Sequence, residues 1–176
     1  MSITESELLQ RYSRGERDFS NVNLHGAKLE DASLPGINLS GATLFGAELS
    51  RANLSGANLS GANLDCAELV EVDFSGANLT RASICDATLE WANLTGANLT
   101  LCNFADSGLL GADLTNAQVT RTTFSSFSLN RANLTNVDLS SASIDLPGGI
   151  DNPRVAGAIF CNTTMPDGSV RNDNCI

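Results

Sequence analysis

The chain has one histidine, one tryptophan and one tyrosine, and aromatic residues make up only 5% of its 176 residues. With His25 the sole imidazole, a two-histidine metal centre cannot be assembled, and a Ser-His-Asp relay would rest on one outward-facing surface position. No catalytic, cofactor or metal site is expected. Basic residues are equally scarce: 10 Lys and Arg against 20 Asp and Glu give a formal charge of −10. Phosphate backbones are held by clustered cations, so direct nucleic-acid binding is not expected. No run reaches the roughly 18 apolar residues of a membrane span, and Met1 to Leu9 lacks the basic start and apolar run of an export signal. These features predict a soluble, cytoplasmic protein with no membrane partner.

What the chain does contain is a repeat. From Phe19 to Ile144 every fifth residue is Leu, Phe, Ile or Val, twenty-six positions in one phase. Two residues earlier stands mostly Ala, as at Ala42, Ala47, Ala52, Ala57 and Ala62, and the unit reads Ala-(Asn/Asp)-Leu-(Ser/Thr)-Gly. On an α-helix a step of five turns about 500°, which spreads the Leu residues around the whole surface. On a flat strand the same step flips the side chain each time. The pattern closes only if each pentad makes a short extended side and then turns a corner, a solenoid. Ser20, Ser40, Ser60, Thr80, Thr100, Thr120 and Ser140 form a ladder at an interval of twenty, as do Gly36, Gly56, Gly76 and Gly96. Four pentads per coil follow, and six and a half coils at the interstrand spacing stack to about 31 Å.

The Ala-Asn-Leu-Ser-Gly pentads of residues 17 to 146 resemble the pentapeptide-repeat family. The resemblance implies an all-β solenoid, a right-handed quadrilateral β-helix. Late departures at the small inward site, Cys102, Ser107, Thr122 and Phe127, predict less regular final coils. Residues 1–16 read as an N-terminal cap: Thr4 and Glu7 form a capping box, Leu8, Leu9 and Tyr12 share a face, and Gly15 stops a helix over 5–14. Residues 147–176 read as a C-terminal cap and covering tail, with Val155, Ile159 and Phe160 before a hairpin at Pro166-Asp167-Gly168. The stretch from Phe160 to Gly168 is similar to the tails of cyanobacterial members of the family.

Five cysteines leave two readings open. All are free thiols, or Cys161 and Cys175 are joined, closing a fourteen-residue interval worth about 3 kcal/mol of loop entropy. Cys66 and Cys85, beside Asp65 and Asp86, read as solvated neighbours and not as a metal cluster.

Without loop insertions between Phe19 and Ile144 there is no material for a cleft, so the chain reads as non-enzymatic. The expected role is a monomeric structural or protein-interaction scaffold of unknown partner, regulatory by its likeness to cyanobacterial relatives. The resemblance carries an alternative: a DNA-mimic binder of a topoisomerase such as gyrase. Fourteen acidic and six basic residues between 17 and 146 leave −8, against about 18 charges on a 31 Å duplex. The candidate partner patch is Val70, Glu90, Trp91 and Leu110, which the interval of twenty places on adjacent coils. Two accounts stand for it: the apolar groups cover one another or a docked tail, or they form a contact site, since tryptophan is enriched at binding hot spots.

Overall fold

A computed structural model describes residues 2–124, 128–144 and 153–175. The chain opens with Ser2 bridged to Asn23 and then the helix α1, Glu5–Ser13. The hydroxyl of Thr4 accepts the Glu7 amide at 3.1 Å, which satisfies one free amide of the first turn. Leu8 is fully buried and the Tyr12 hydroxyl donates to the Pro35 carbonyl at 2.7 Å, which fixes the helix over the first layer. Leu9, by contrast, is 40% exposed and lies off the face that Leu8 covers.

From Asp18 onward, residues twenty apart bridge in parallel: Asp18 with Asn38, Asn38 with Asn58, Asn58 with Asn78. Each bridge is a reciprocal pair of main-chain hydrogen bonds. Leu24 donates to Thr43 at 2.8 Å while Thr43 donates to Val22 at 2.9 Å. Between bridges the chain turns. Ala27 donates to the Leu24 carbonyl at 3.0 Å, with Gly26 at φ 63°, and the same turn recurs at Leu44–Ala47 and Leu54–Ala57. Glycine adopts this left-handed conformation freely, whereas Arg51, Trp91 and Leu101 adopt it at about 1–2 kcal/mol each. The bridging Asn supports the turn: Asn53 Oδ1 accepts the Ser55 amide at 3.0 Å and its hydroxyl at 2.7 Å. Asn thus recurs before Leu, and Ser or Thr after it, for a hydrogen-bonding reason.

The expected right-handed quadrilateral β-helix solenoid is corrected by this architecture. Regular structure among the described residues comprises α1, one short 3₁₀ turn at Pro153–Val155, and two separate two-stranded sheets, neither closed nor curled. In the first sheet, β1 (Thr123–Phe124) pairs parallel with β2 (Ser143–Ile144); in the second, β3 (Phe160–Thr164) pairs antiparallel with β4 (Val170–Asp173). A turn every five residues leaves room for a single bridging residue per pentad. Layers of chain are therefore stitched by isolated bridges, one residue to each short side.

Leu and Ala alternate into the core as the periodicity requires, and Ala57, Leu59, Ala62 and Leu64 are buried. Polar residues at the small inward site are accommodated by one device. Cys102 Sγ donates to Leu79 O at 2.6 Å, Ser107 Oγ to Ile84 O at 2.5 Å and Thr122 Oγ1 to Leu99 O at 2.6 Å. Burial pushes the Cys102 thiol up to about 12. Phe127 lies outside the described residues, as do Pro147 to Asn152.

The C-terminal segment carries the hairpin expected at Pro166-Asp167-Gly168, between β3 and β4. Past residue 153 the pentad resumes, displaced: Asn133 bridges Ile159 and Asp138 bridges Thr164, a step of twenty-six. Ala158 and Phe160, then Thr163 and Met165, take the small and large inward sites. Thr163 Oγ1 donates to Leu134 O at 2.7 Å, repeating the device used by Thr122. Gly157 and Asn162 supply the positive φ of the turns. This segment forms part of a further layer, and β4 pairs along β3.

Ala57 stacks between Ile37 and Ala77, to which its layer is hydrogen-bonded through Asn58 and Asn78. Ala57→Leu adds three carbons where no space exists, and a loss of about 1–3 kcal/mol is expected in urea denaturation. An unchanged midpoint would place this side chain outside the core.

Candidate partner-binding surface

Because neighbouring layers are in a twenty-residue register, outward residues fall into columns. Each layer has four turns, and the third turn column runs through residues 30–31, 50–51, 70–71, 90–91, 110–111 and 130–131. All four candidate residues lie on it. Main-chain bonds hold the column together: Arg51 to Val70, Glu71 to Glu90 and Trp91 to Leu110, each 2.8 Å. Glu90 is exposed, while Val70 and Leu110 are half-buried at the bend.

Trp91 is 50% exposed and sits at a left-handed turn position, φ 60°. Its indole lies across Gly111, one layer on, so closely that a Cβ there would overlap the ring atoms Cδ2, Cε3 and Cζ3. One face of the indole rests on backbone, and half its surface meets solvent. Toward the N-terminal end of the same column, Asp31 accepts a two-point grip from Arg51, with Nε on one carboxylate oxygen and Nη2 on the other, both 2.7 Å. The guanidinium holds the Asp31 carboxyl below the usual carboxylate range.

Acidic residues concentrate around this column. The second turn column contributes Asp65, Asp86 and Asp106, the bridging positions between contribute Glu48 and Glu68, and the third contributes Glu30, Asp31, Glu71 and Glu90. Lys28, Arg51 and Arg131 are the cations among them. The first turn column, two turns away round the layer, carries Arg81 and Arg121 and no acid.

The cysteines divide cleanly. Cys161 and Cys175 are joined across the β3–β4 hairpin, while Cys66, Cys85 and Cys102 are free. Cys85 is tied into the layer by an Asn103 Nδ2 hydrogen bond at 3.0 Å, and burial raises its thiol. Among the described residues no group of His, Cys, Asp and Glu is arranged to hold a metal, and no helix is long and apolar enough to cross a membrane. One feature escaped sequence reasoning: His25 stacks on Phe45, ring centroids 5.4 Å apart and 14° from parallel, leaving Phe45 39% exposed. Their separation of twenty was the available signal.

The pentapeptide-repeat family model matches this chain in 8 copies, at residues 18–56, 44–81, 52–90 and 82–125. The chain belongs to the pentapeptide-repeat family. No curated protein matches it. Among solved structures, it is 25% identical to HetL, a pentapeptide-repeat protein involved in heterocyst differentiation regulation in the cyanobacterium Nostoc sp. strain PCC 7120, over 96% of this chain and 100% of that one, with a TM-score of 0.49. It is 34% identical to alr5209, a pentapeptide-repeat protein of Nostoc PCC 7120, over 67% and 82% of the two chains, with a TM-score of 0.27. It is 23% identical to QnrB1, a plasmid-mediated fluoroquinolone resistance protein, over 80% and 80%, with a TM-score of 0.30.

Two outcomes follow from the column's geometry. Gly111→Ala places a methyl against the Trp91 ring at a residue whose φ is 68°. A loss of about 1 kcal/mol or more is expected, with a red shift of the single tryptophan's emission as the ring lifts into water. Unchanged emission would show that the indole does not lie on Gly111. Asp18, Asp31, Asp138 and Asp167 all have carboxyls lowered by hydrogen bonds, from Ser20, Arg51, Ser140 and Ser169 respectively. A carboxyl depressed on folding contributes stability above its unfolded value, and the contribution disappears as pH falls through the folded one. Thermal stability should hold above about pH 4 and decline below it; Asp138→Asn should flatten part of that slope.

Proposed function

We propose that the protein is a scaffold that docks a protein partner on its third turn column, with Trp91 at the centre of the contact. The half-exposed indole on its Gly111 shelf carries this reading. A rigid, pre-seated ring loses little side-chain freedom on binding, and large aromatics of this kind dominate interface energetics. Val70 and Leu110 add apolar area along the column, and Glu90 sets the sign of its rim. The working form is a monomer, with the tail cystine closed. It carries no cofactor and makes no direct contact with nucleic acid.

A second reading is supported by the one-sided distribution of acid. A surface with Asp65, Asp86, Asp106, Glu48, Glu68, Glu71 and Glu90 together presents the sign of a duplex to a topoisomerase such as gyrase, though the repeat's −8 is under half of the phosphate charge along an equal length. Inhibition of gyrase in a supercoiling assay at micromolar concentration separates it from the first.

Affinity capture from native extract, read by mass spectrometry, tests the docking column directly. Trp91→Ser should retain the far-ultraviolet spectrum and denaturation midpoint of the parent while losing its specific partner at least tenfold. Full capture by a folded Trp91→Ser protein would remove the site from this column, and loss of folding would return Trp91 to a structural role.

A further inference from the structure

Charge on three successive layers is sorted by side. Residues 65–73, 85–93 and 105–113, which run from the second turn column past the third, hold eight acidic residues and no basic one. Residues 75–83, 95–103 and 115–123 complete the same layers through the fourth column and the first, and they hold Arg81, Arg121 and no acid. Where a column brings an acid within reach of a cation the two pair, as Arg51 does with Asp31 and Lys28 with Glu48. The first column offers no such acid. Among the described residues neither Arg81 nor Arg121 is in an ion pair, and both are exposed. Asp138, twenty residues beyond Gln118, accepts the Ser140 amide at 2.9 Å instead.

The two guanidiniums stand in one line. Arg81, Leu101 and Arg121 occupy the same turn position in consecutive layers, at φ 60°, 62° and 54°, where earlier layers have Gly41 and Gly61. Main-chain bonds fix the spacing: the Arg81 amide donates to Thr100 O and the Leu101 amide to Thr120 O, both at 2.9 Å. Two interstrand steps separate the Cα atoms of Arg81 and Arg121 by about 9.6 Å. Leu101 lies between them, half-buried. The flanking bridge residues are uncharged: Asn78, Asn98 and Gln118 on one side, Ser83, Asn103 and Thr123 on the other.

We propose that this column is a second docking edge, and that it takes an acidic segment of a partner protein in polyproline-II conformation. Such a segment advances about 3.1 Å per residue with three residues per turn, so carboxylates three residues apart lie on one face about 9.3 Å apart. That spacing matches Arg81 and Arg121, and the turn of chain between the carboxylates covers Leu101. Guanidinium groups grip carboxylates at two points, as Arg51 grips Asp31 on this protein. The acids of the same layers stand on the opposite half of the perimeter, and exposed charges are screened within about 8 Å at physiological salt, so they do not bar the approach. Two cations neutralise too few phosphates for a nucleic acid to be the better ligand. With Trp91 on the third column the scaffold has sites facing opposite ways, and the first-column site stands whether or not Trp91 is one.

The test is a titration of the isotopically labelled full chain with a peptide carrying Glu-Leu-Ala-Glu, and with its Gln-Leu-Ala-Gln counterpart, read by amide chemical shifts. Shifts should centre on Arg81, Leu101 and Arg121 and be absent with the glutamine peptide. Arg81→Gln combined with Arg121→Gln should weaken binding about tenfold, and salt at about 0.5 M should weaken the parent similarly. Arg131→Gln, on the third column, should leave binding unchanged. Because both arginines are exposed, the double variant should keep the parent's far-ultraviolet spectrum; the glutamine peptide and the salt series test the parent without it. No response to the acidic peptide, shifts at the Trp91 indole in place of the first column, or binding indifferent to salt would each overturn the proposal. So would a tighter response of the same amides to a DNA duplex.

Discussion

Main-chain hydrogen bonding between residues twenty apart is the constraint on which the rest depends. A chain that turns every five residues cannot pair its amides within a helix or along a strand, and amides next to a buried Leu cannot be left to water. Their partners lie one layer away. Thr43 must meet Asn23 and Asn63, and so on through the stack. Each layer then needs the same number of residues, a small side chain where Ala57 sits, and a left-handed residue at each turn. A chain with so little aromatic content can still form a dense core, because its aliphatic side chains stack directly over one another.

The same register governs the exterior. An outward residue's neighbours are decided by its position within the twenty-residue layer, so the surface is made of columns and not of loops folded together. Columns can bring Arg51 onto Asp31, His25 onto Phe45, or Trp91 onto Gly111. The tail obeys the register as well. After the described structure pauses at 144, it resumes at a step of twenty-six with the inward pair Ala158 and Phe160. Regular layers give way there to a hairpin across which Cys161 and Cys175 are joined.

The sequence by itself determined the interval of five, the layer of twenty, the buried Leu and Ala positions and the capping of α1 by Thr4. These are repeated local choices, each reinforced by every other copy. It also placed Val70, Glu90, Trp91 and Leu110 on one column, since column membership is arithmetic. The tertiary structure decided the rest. That Trp91, Leu101 and Arg51 adopt the left-handed turn conformation is one such fact, since their residue types do not announce it. The likeness of Asn133–Val137 to Ile159–Thr163 is hidden by a six-residue displacement that breaks the count. That Trp91 rests on Gly111 with half its ring in water, and that Cys175 reaches Cys161, are distances between layers. Composition and spacing cannot supply them, because they follow from how deeply each side chain sinks against the neighbouring layer.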